Sequence, residues 1–406
     1  LTVAPSPAAA GLAGVTTPLG FQAAAVASGL KPQGHDLALL VADTACTAAA
    51  VFTTNRAQAA PVVVSRGHVA GGRARAVVVN SGCANAATGE RGLADARETA
   101  SLVAAAIGCP AEQVLVASTG VIGVPLRMDA LRAGVPQAAA RLSREGGPEA
   151  ARAIMTTDTR PKEVVVEFAL DAGTARVGGM AKGAGMIAPR MATMLAFFTT
   201  DAAVEAGLLQ AALREAVGQS LNRITVDGDT STNDMAVVLA SGAAAGPPID
   251  APGPAYDAFR VALTEAARRL AEMIVRDGEG ATRIAEVRVE GAASEDDADR
   301  IARAIAESPL VKTALHGGDP NWGRILAAAG RSGVAIDAGR VDVHLGGVWV
   351  AAGGAAREYD EAVAHQAMVA DPVRIRVHLN AGPAASWMWT CDLSRGYVDI
   401  NAHYRS

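Results

Sequence analysis

Seven short runs rich in β-branched and aliphatic residues punctuate the chain: LALLVA (37–42), PVVVS (61–65), RAVVVN (75–80), QVLVAS (113–118), EVVVEFAL (163–170), MAVVLAS (235–241) and VRIRVHLN (373–380). Runs of this length and composition predict strands. Several lack the polar–apolar alternation of a strand with one wet face. Strands of that kind are covered on both sides. The chain is therefore expected to layer helices over its sheets rather than to form an open all-β structure.

Helical patterns fill the intervals. AYDAFRVALTEAARRLAEMIV (255–275) sets Phe259, Leu263, Ala266, Leu270 and Ile274 on one face at steps of three and four. EDDADRIARAIAES (295–308) opens with acids, which suit a helix N-terminus. Further helices are expected near 95–107, 203–217 and 357–369. The fold class is thus mixed α/β (α+β). A Gly-rich turn, DGEGATR (277–283), precedes a fresh strand–helix series, so residues 1–280 are expected to form the main domain and 281–406 a smaller C-terminal α/β domain. A chain of 406 residues is long enough for both.

Composition narrows the function classes. Half the residues are hydrophobic, only 3% are aromatic and the net charge is −5, so the core is expected to be aliphatic. With no basic stripe interleaved with aromatics, nucleic acid is not an expected partner. No apolar run nears the ~20 residues of a membrane helix. No basic region opens the sequence, the first lysine being Lys31, and the four scattered cysteines form no CxxC pair; both suit a cytoplasmic protein.

Familiar motifs fail. GAGMIA (183–188) matches a dinucleotide fingerprint, but Pro189 follows and no helix pattern opens. Lys182 precedes those glycines rather than following them, so there is no P-loop. DGDTSTND (227–234) starts like a calcium loop, yet Thr232 and Val238 stand where Gly and Glu are needed. The histidines are dispersed, and neither HExxH nor a GxSxG elbow is present. No metal or bound cofactor is expected.

The stretch KGAGMIAPRMATMLAFF (182–198) places a lone hydroxyl, Thr193, between a flexible loop and a buried strand. An ordinary turn leading into a core strand is one reading. The other is chemical. A threonine hydroxyl needs a base, and its own α-amine can serve if the preceding peptide bond is cut. A free α-amine titrates at about 7.7–8.0, so a useful fraction of it is unprotonated near neutrality. The hydroxyl can make the cut itself by attacking the carbonyl of Ala192. The small Ala192 and the Gly183/Gly185 loop would allow that approach.

The same stretch resembles the ornithine acetyltransferase / glutamate N-acetyltransferase family of arginine biosynthesis. So do NSGCANAATG (80–89), VASTGVIG (116–123), IMTTDTRPKE (154–163), NRITVDGDTSTND (222–234), DGEGATR, VKTALHGGDPNWGRI (311–325) and the ending GYVDINAHYRS. The resemblance spans essentially the whole chain in order. It implies an αββα-type sandwich carrying the nucleophile. It also implies self-cleavage between Ala192 and Thr193 into an α chain, 1–192, and a β chain, 193–406, assembled as a heterotetramer of two α and two β. Thr193 would carry acetyl from N-acetylornithine to glutamate, with Thr119 and Gly120 as the oxyanion hole. Thr156, Thr157, Lys182, Glu279, Asn401 and Ser406 would contact substrate. Acetyl-CoA stays open as a second acetyl donor. The rivals are an amidase or aminopeptidase on the same self-processing scaffold and a non-catalytic amino-acid-binding protein.

Overall fold

The computed structural model describes residues 14–188 and 194–403. Ala192, Thr193 and Ser406 lie outside the described residues. The first sheet contains β1 (Phe21–Val26), β2 (Leu37–Phe52), β3 (Arg73–Cys83), β4 (Val114–Val121), β5 (Lys162–Leu170), β6 (Gly173–Lys182) and β7 (Leu195–Thr200). Two strands follow, β8 (Ile224–Thr225) and β9 (Met235–Ala240), and β9 inserts between β2 and β7. The order is β4-β3-β2-β9-β7-β6-β5, with β1 antiparallel to β2.

The long β2 gives this sheet its shape. Its first half pairs with β1 and β3, its second half with β9, and its register on β3 breaks between Val41 and Cys46. Alternate side chains then sort by face, as the period of two requires. Leu40, Val77, Val79 and Leu115 from one half share a buried cluster with Met180, Phe197, Val237 and Leu239 from the other. Leu39, Val78 and Val116 face outward onto two helices, α2 (Gly89–Ile107) and α3 (Met128–Ala140). Phe198 and Val238 face outward onto another pair, α5 (Ala206–Gly218) and α6 (Pro254–Arg276). The layers therefore run helices, sheet half, sheet half, helices: the αββα arrangement. Each fully buried Leu or Phe in them contributes roughly 1.5–3 kcal/mol.

Two helices depart from this plan, α1 (Ala60–His68) and α4 (Gly147–Ala153). The first corrects the reading of PVVVS as a strand. Three consecutive valines fit either element, because period cannot be judged over so few residues. Pro61 occupies the first turn, where its missing N–H costs nothing, and Arg66 and His68 sit in the last turn against the helix dipole. Val62 points into the sandwich core and Val64 toward α2. The α6 periodicity agrees with expectation: Phe259, Leu263, Ala266, Leu270 and Ile274 are all buried.

The second sheet has the order β13-β12-β11-β14-β10-β15-β8. Its strands are β10 (Ile284–Ala292), β11 (Asp342–Leu345), β12 (Val348–Ala352), β13 (Ala355–Ala356), β14 (Val373–His378) and β15 (Ala384–Cys391). Helices α7 (Glu295–Ala306), α8 (Pro309–Gly317), α9 (Trp322–Gly330) and α10 (Glu361–Met368) cover one face. β8 comes from the first sandwich's part of the chain yet pairs with β15, which ties the two sheets together. A last helix, α11 (Arg395–His403), returns to the sandwich. No helix among the described residues is long and apolar enough to cross a membrane.

Candidate active site

At one end of the sandwich, the C-terminal ends of β4 and β6 meet the N-terminal starts of β7 and β9. A cleft of about 200 Å³ opens there. Thr119, Gly120, Thr156, Thr157, Lys182, Glu279 and Asn401 all line it, together with Met194 and Leu195, the first two residues after Thr193. The structure thus gathers at one place every sequence-predicted site residue that it describes.

Thr119 and Gly120 lie near the end of β4, just before its last residue Val121, in parallel register with Ser81 and Gly82 of β3. Gly120 has φ +129°, and a β-carbon there would collide with the Gly82 backbone, so only glycine fits. Buried Asn233 fixes this strand end, donating from Nδ2 to the carbonyls of Ala84 (2.6 Å) and Ser118 (2.9 Å). Lys182 Nζ donates to Thr119 Oγ1 at 3.1 Å. The hydroxyl accepts from an ammonium and is left free to donate its own proton elsewhere. Burial pushes the Lys182 ammonium below its ordinary range, against the opposing pull of Asp158, Asp234 and Glu279.

Beneath Lys182 lies a second lysine, Lys162, with two carboxylates. Lys162 Nζ donates to Asp158 Oδ1 (2.7 Å) and Asp277 Oδ2 (2.6 Å), all three groups being buried. Asp158 also accepts from the backbone N–H groups of Gly183 (2.7 Å) and Thr156 (3.0 Å). Asp277 accepts from the N–H and hydroxyl of Thr159. This network clamps the Thr156–Thr157 turn, the start of the Gly-rich loop and the DGEGATR turn against one another.

Glu279 reaches the cleft because Gly185 leaves room: a β-carbon at Gly185 would strike its carboxylate. The Asn401 amide donates to Glu279 Oε2 at 2.6 Å, so α11 arrives over the site. Tyr397 of the same helix donates to Asp227 Oδ2 at 3.4 Å. Asp227 takes the N–H groups of Met186 (2.6 Å) and Ile187 (2.9 Å). These bonds hold Met186 in a left-handed conformation, φ 55°, that a long side chain adopts only at a cost. Burial raises the Asp227 carboxyl above its usual range, with its backbone hydrogen bonds opposing. Asp234, whose burial raises it well above that range, lines the cleft as well.

Asp158, Lys162, Asp227, Asp234, Asp277 and Tyr397 were not singled out from the sequence. All fall inside segments quoted there; a carboxylate in a Gly/Ser/Thr-rich turn reads as solvated until packing buries it. Among the described residues, no group of three or more His, Cys, Asp or Glu is placed to hold a metal ion.

Comparison with known proteins shows the family. The arginine biosynthesis bifunctional protein ArgJ of Symbiobacterium thermophilum is 52% identical over 397 residues, covering 97% of this chain and 98% of that protein. The protein of the same name from a Synechococcus species is 50% identical over 402 residues, covering 96% and 97%. A crystal structure of the arginine biosynthesis bifunctional protein ArgJ from Bacillus halodurans is 44% identical with a TM-score of 0.50; it covers 51% of this chain and 98% of its own. The ArgJ family model matches residues 22–406. With nearly its whole length matched and half its residues shared with such relatives, this chain belongs to the ArgJ family.

Proposed function

We propose that the protein acts in arginine biosynthesis by transferring acetyl from N2-acetyl-L-ornithine to L-glutamate through an ester on Thr193, after cutting itself between Ala192 and Thr193. The observation that carries this reading is the cleft. It draws an oxyanion-hole pair, a half-buried ammonium and a carboxylate–amide pair from segments as distant as residues 119 and 401, beside Met194. The Bacillus halodurans structure adds support, since its whole chain corresponds to about half of this one, the share a cleaved piece would have.

The chemistry follows from the side chains. The freed α-amine of Thr193 takes the hydroxyl proton as Oγ attacks the acetyl carbonyl. The resulting oxyanion accepts from the Thr119 hydroxyl and the Gly120 N–H. The tetrahedral centre then collapses, the C–N bond breaks, and ornithine leaves with the proton. Glutamate's neutral amine attacks the ester, and the same donors serve the second oxyanion. As it collapses, the C–O bond to Thr193 Oγ breaks and the α-amine carries the proton from the glutamate nitrogen to the departing oxygen. Both acetamides are alike in energy, so the exchange needs no nucleotide. Lys182 meets an α-carboxylate and Glu279 an ammonium group.

Ornithine release is measured with and without glutamate. Release that depends on glutamate, with ping-pong kinetics, is expected; release to water alone would make the protein an amidase. Two chains are expected on a denaturing gel, and N-terminal sequencing identifies the cut if the longer one, residues 193–406, starts Thr-Met-Leu-Ala. Thr193→Ala should remain one uncut, inactive chain. N-acetylglutamate made from acetyl-CoA and glutamate would add a second donor.

A further inference from the structure

Asp234 stands apart from the other acids of the cleft. Asp227 is bonded by two backbone N–H groups and Glu279 by Asn401, Asp229 is exposed, and Asp158, beneath the cleft, is bonded by Lys162 and Gly183. Asp234 is only 2% exposed and lines the cleft, yet its Oδ2 has no hydrogen-bond partner among the described residues. The polar groups that act on its carboxyl are the Ser231 hydroxyl and, from β6, the Lys182 ammonium. A buried carboxyl oxygen without a donor is costly, and natural structures hold few.

Its position says what could fill the gap. β7 and β9 run parallel with Leu195 opposite Met235, and the Met235 N–H donates to the Met194 carbonyl at 3.1 Å. The same register sets Asp234 beside Met194. Asp234 is held there from behind, its own carbonyl accepting from the Thr53 N–H at 3.0 Å.

We infer that Asp234 is a positioning residue whose open Oδ2 receives an amine N–H in the working enzyme. This rests on the acetyl-transfer reading, which brings two amines to the cleft: the α-amine exposed by scission and the amino group of glutamate. Either satisfies the orphan oxygen, and a charged amine supplies the counter-charge that burial denies the carboxyl.

Asp234→Asn is the test. It should fold, with a melting temperature near that of the unaltered protein, and should cut itself into two chains. If the chain's own amine is the one held, kcat falls at least tenfold. The acid limb of kcat/KM also moves to lower pH, because a carboxylate beside an ammonium raises the amine's pKa and its loss lowers it. If glutamate's amine is held, its KM rises at least tenfold and the limb stays. A cleaved variant with unchanged kcat, KM and pH profile overturns the inference. So does a folded but uncut variant, since the amine does not exist before scission. Should the variant not fold, a crystal structure of the cleaved unaltered protein with glutamate decides: an amine nitrogen within about 3.2 Å of Oδ2 is expected, and none there refutes it. Acetyl transfer by the unaltered protein is scored separately, so failure of the functional reading is not confused with failure of this one.

Discussion

Two lysines end neighbouring strands at the same end of the sandwich, and they are used in opposite ways. Lys162 begins β5 and is saturated, with carboxylates at 2.7 and 2.6 Å. Lys182 ends β6, opens onto the cleft, and its hydrogen bond goes to a neutral hydroxyl, Thr119. A buried charge with matched partners holds segments in place; one without them is held ready for something that arrives. The first lysine explains why the loops around the cleft keep their shape. The second is where an anionic substrate group can gain most.

The largest effect is expected at the saturated lysine. Lys162→Met leaves Asp158 and Asp277 without the buried ammonium that bonds both, with only the exposed Arg160 beside Asp277 at 3.7 Å, a change that typically costs about 3–5 kcal/mol. Urea unfolding measures it. A loss under ~1 kcal/mol would mean that the network is not the clamp described. Thr119→Val comes next. It removes the hydrogen-bond partner of Lys182 and, on the proposed mechanism, one oxyanion donor, which should lower kcat by roughly 10²–10³, or about 2.7–4 kcal/mol of barrier. The unfolding midpoint should stay close to the original.

Lys182→Met separates the two lysines most directly. Relieving a desolvated ammonium should leave stability within about 1 kcal/mol of the original, unlike Lys162→Met. Loss of a charge-assisted contact to substrate, worth about 1.5–3 kcal/mol, should lower kcat/KM roughly ten- to hundredfold. If Lys182→Met instead unfolds the protein as severely as Lys162→Met, the distinction between the two collapses.

The contrast could be read from the sequence only in part. Lys182, Glu279 and Asn401 came from resemblance to a family, since each alone is an ordinary charged or polar residue. Lys162 was passed over within RPKEVVVEF, where it looks like a solvated strand start. Its burial depends on Asp158 and Asp277, the latter 115 residues away, and no local pattern encodes that meeting. The strands were legible where a run was apolar at every position: LALLVA and MAVVLA are buried throughout, as two-sided strands should be. PVVVS was misread because the proline that starts a helix can also begin a strand, and only packing on both sides of α1 decides between them. Asp234 drew notice only as part of a failed calcium loop; its significance is an unpaired oxygen, which only coordinates reveal.

Acid titration sharpens the same contrast with the smallest expected effect. Burial pushes the Asp158 carboxyl up, but Lys182, Lys162 and the hydrogen bonds from Lys162 and Gly183 outweigh it, leaving it below its ordinary 3.8. A carboxylate with a depressed folded pKa stabilises the protein fully above its unfolded value, and that stability is lost as pH falls through the folded value. Asp158 should therefore hold the cleft together below the usual carboxylate range. Removing either lysine takes away part of what depresses it, so acid unfolding of Lys162→Met and of Lys182→Met should begin at higher pH than in the unaltered protein. The two variants should then differ at neutral pH, where only Lys162→Met is weakened, and converge in direction in acid. Unfolding curves at a series of pH values from 7 down to about 3 check this. An acid limb that neither substitution moves would show that Asp158 is set by its backbone donors and not by the two ammonium groups.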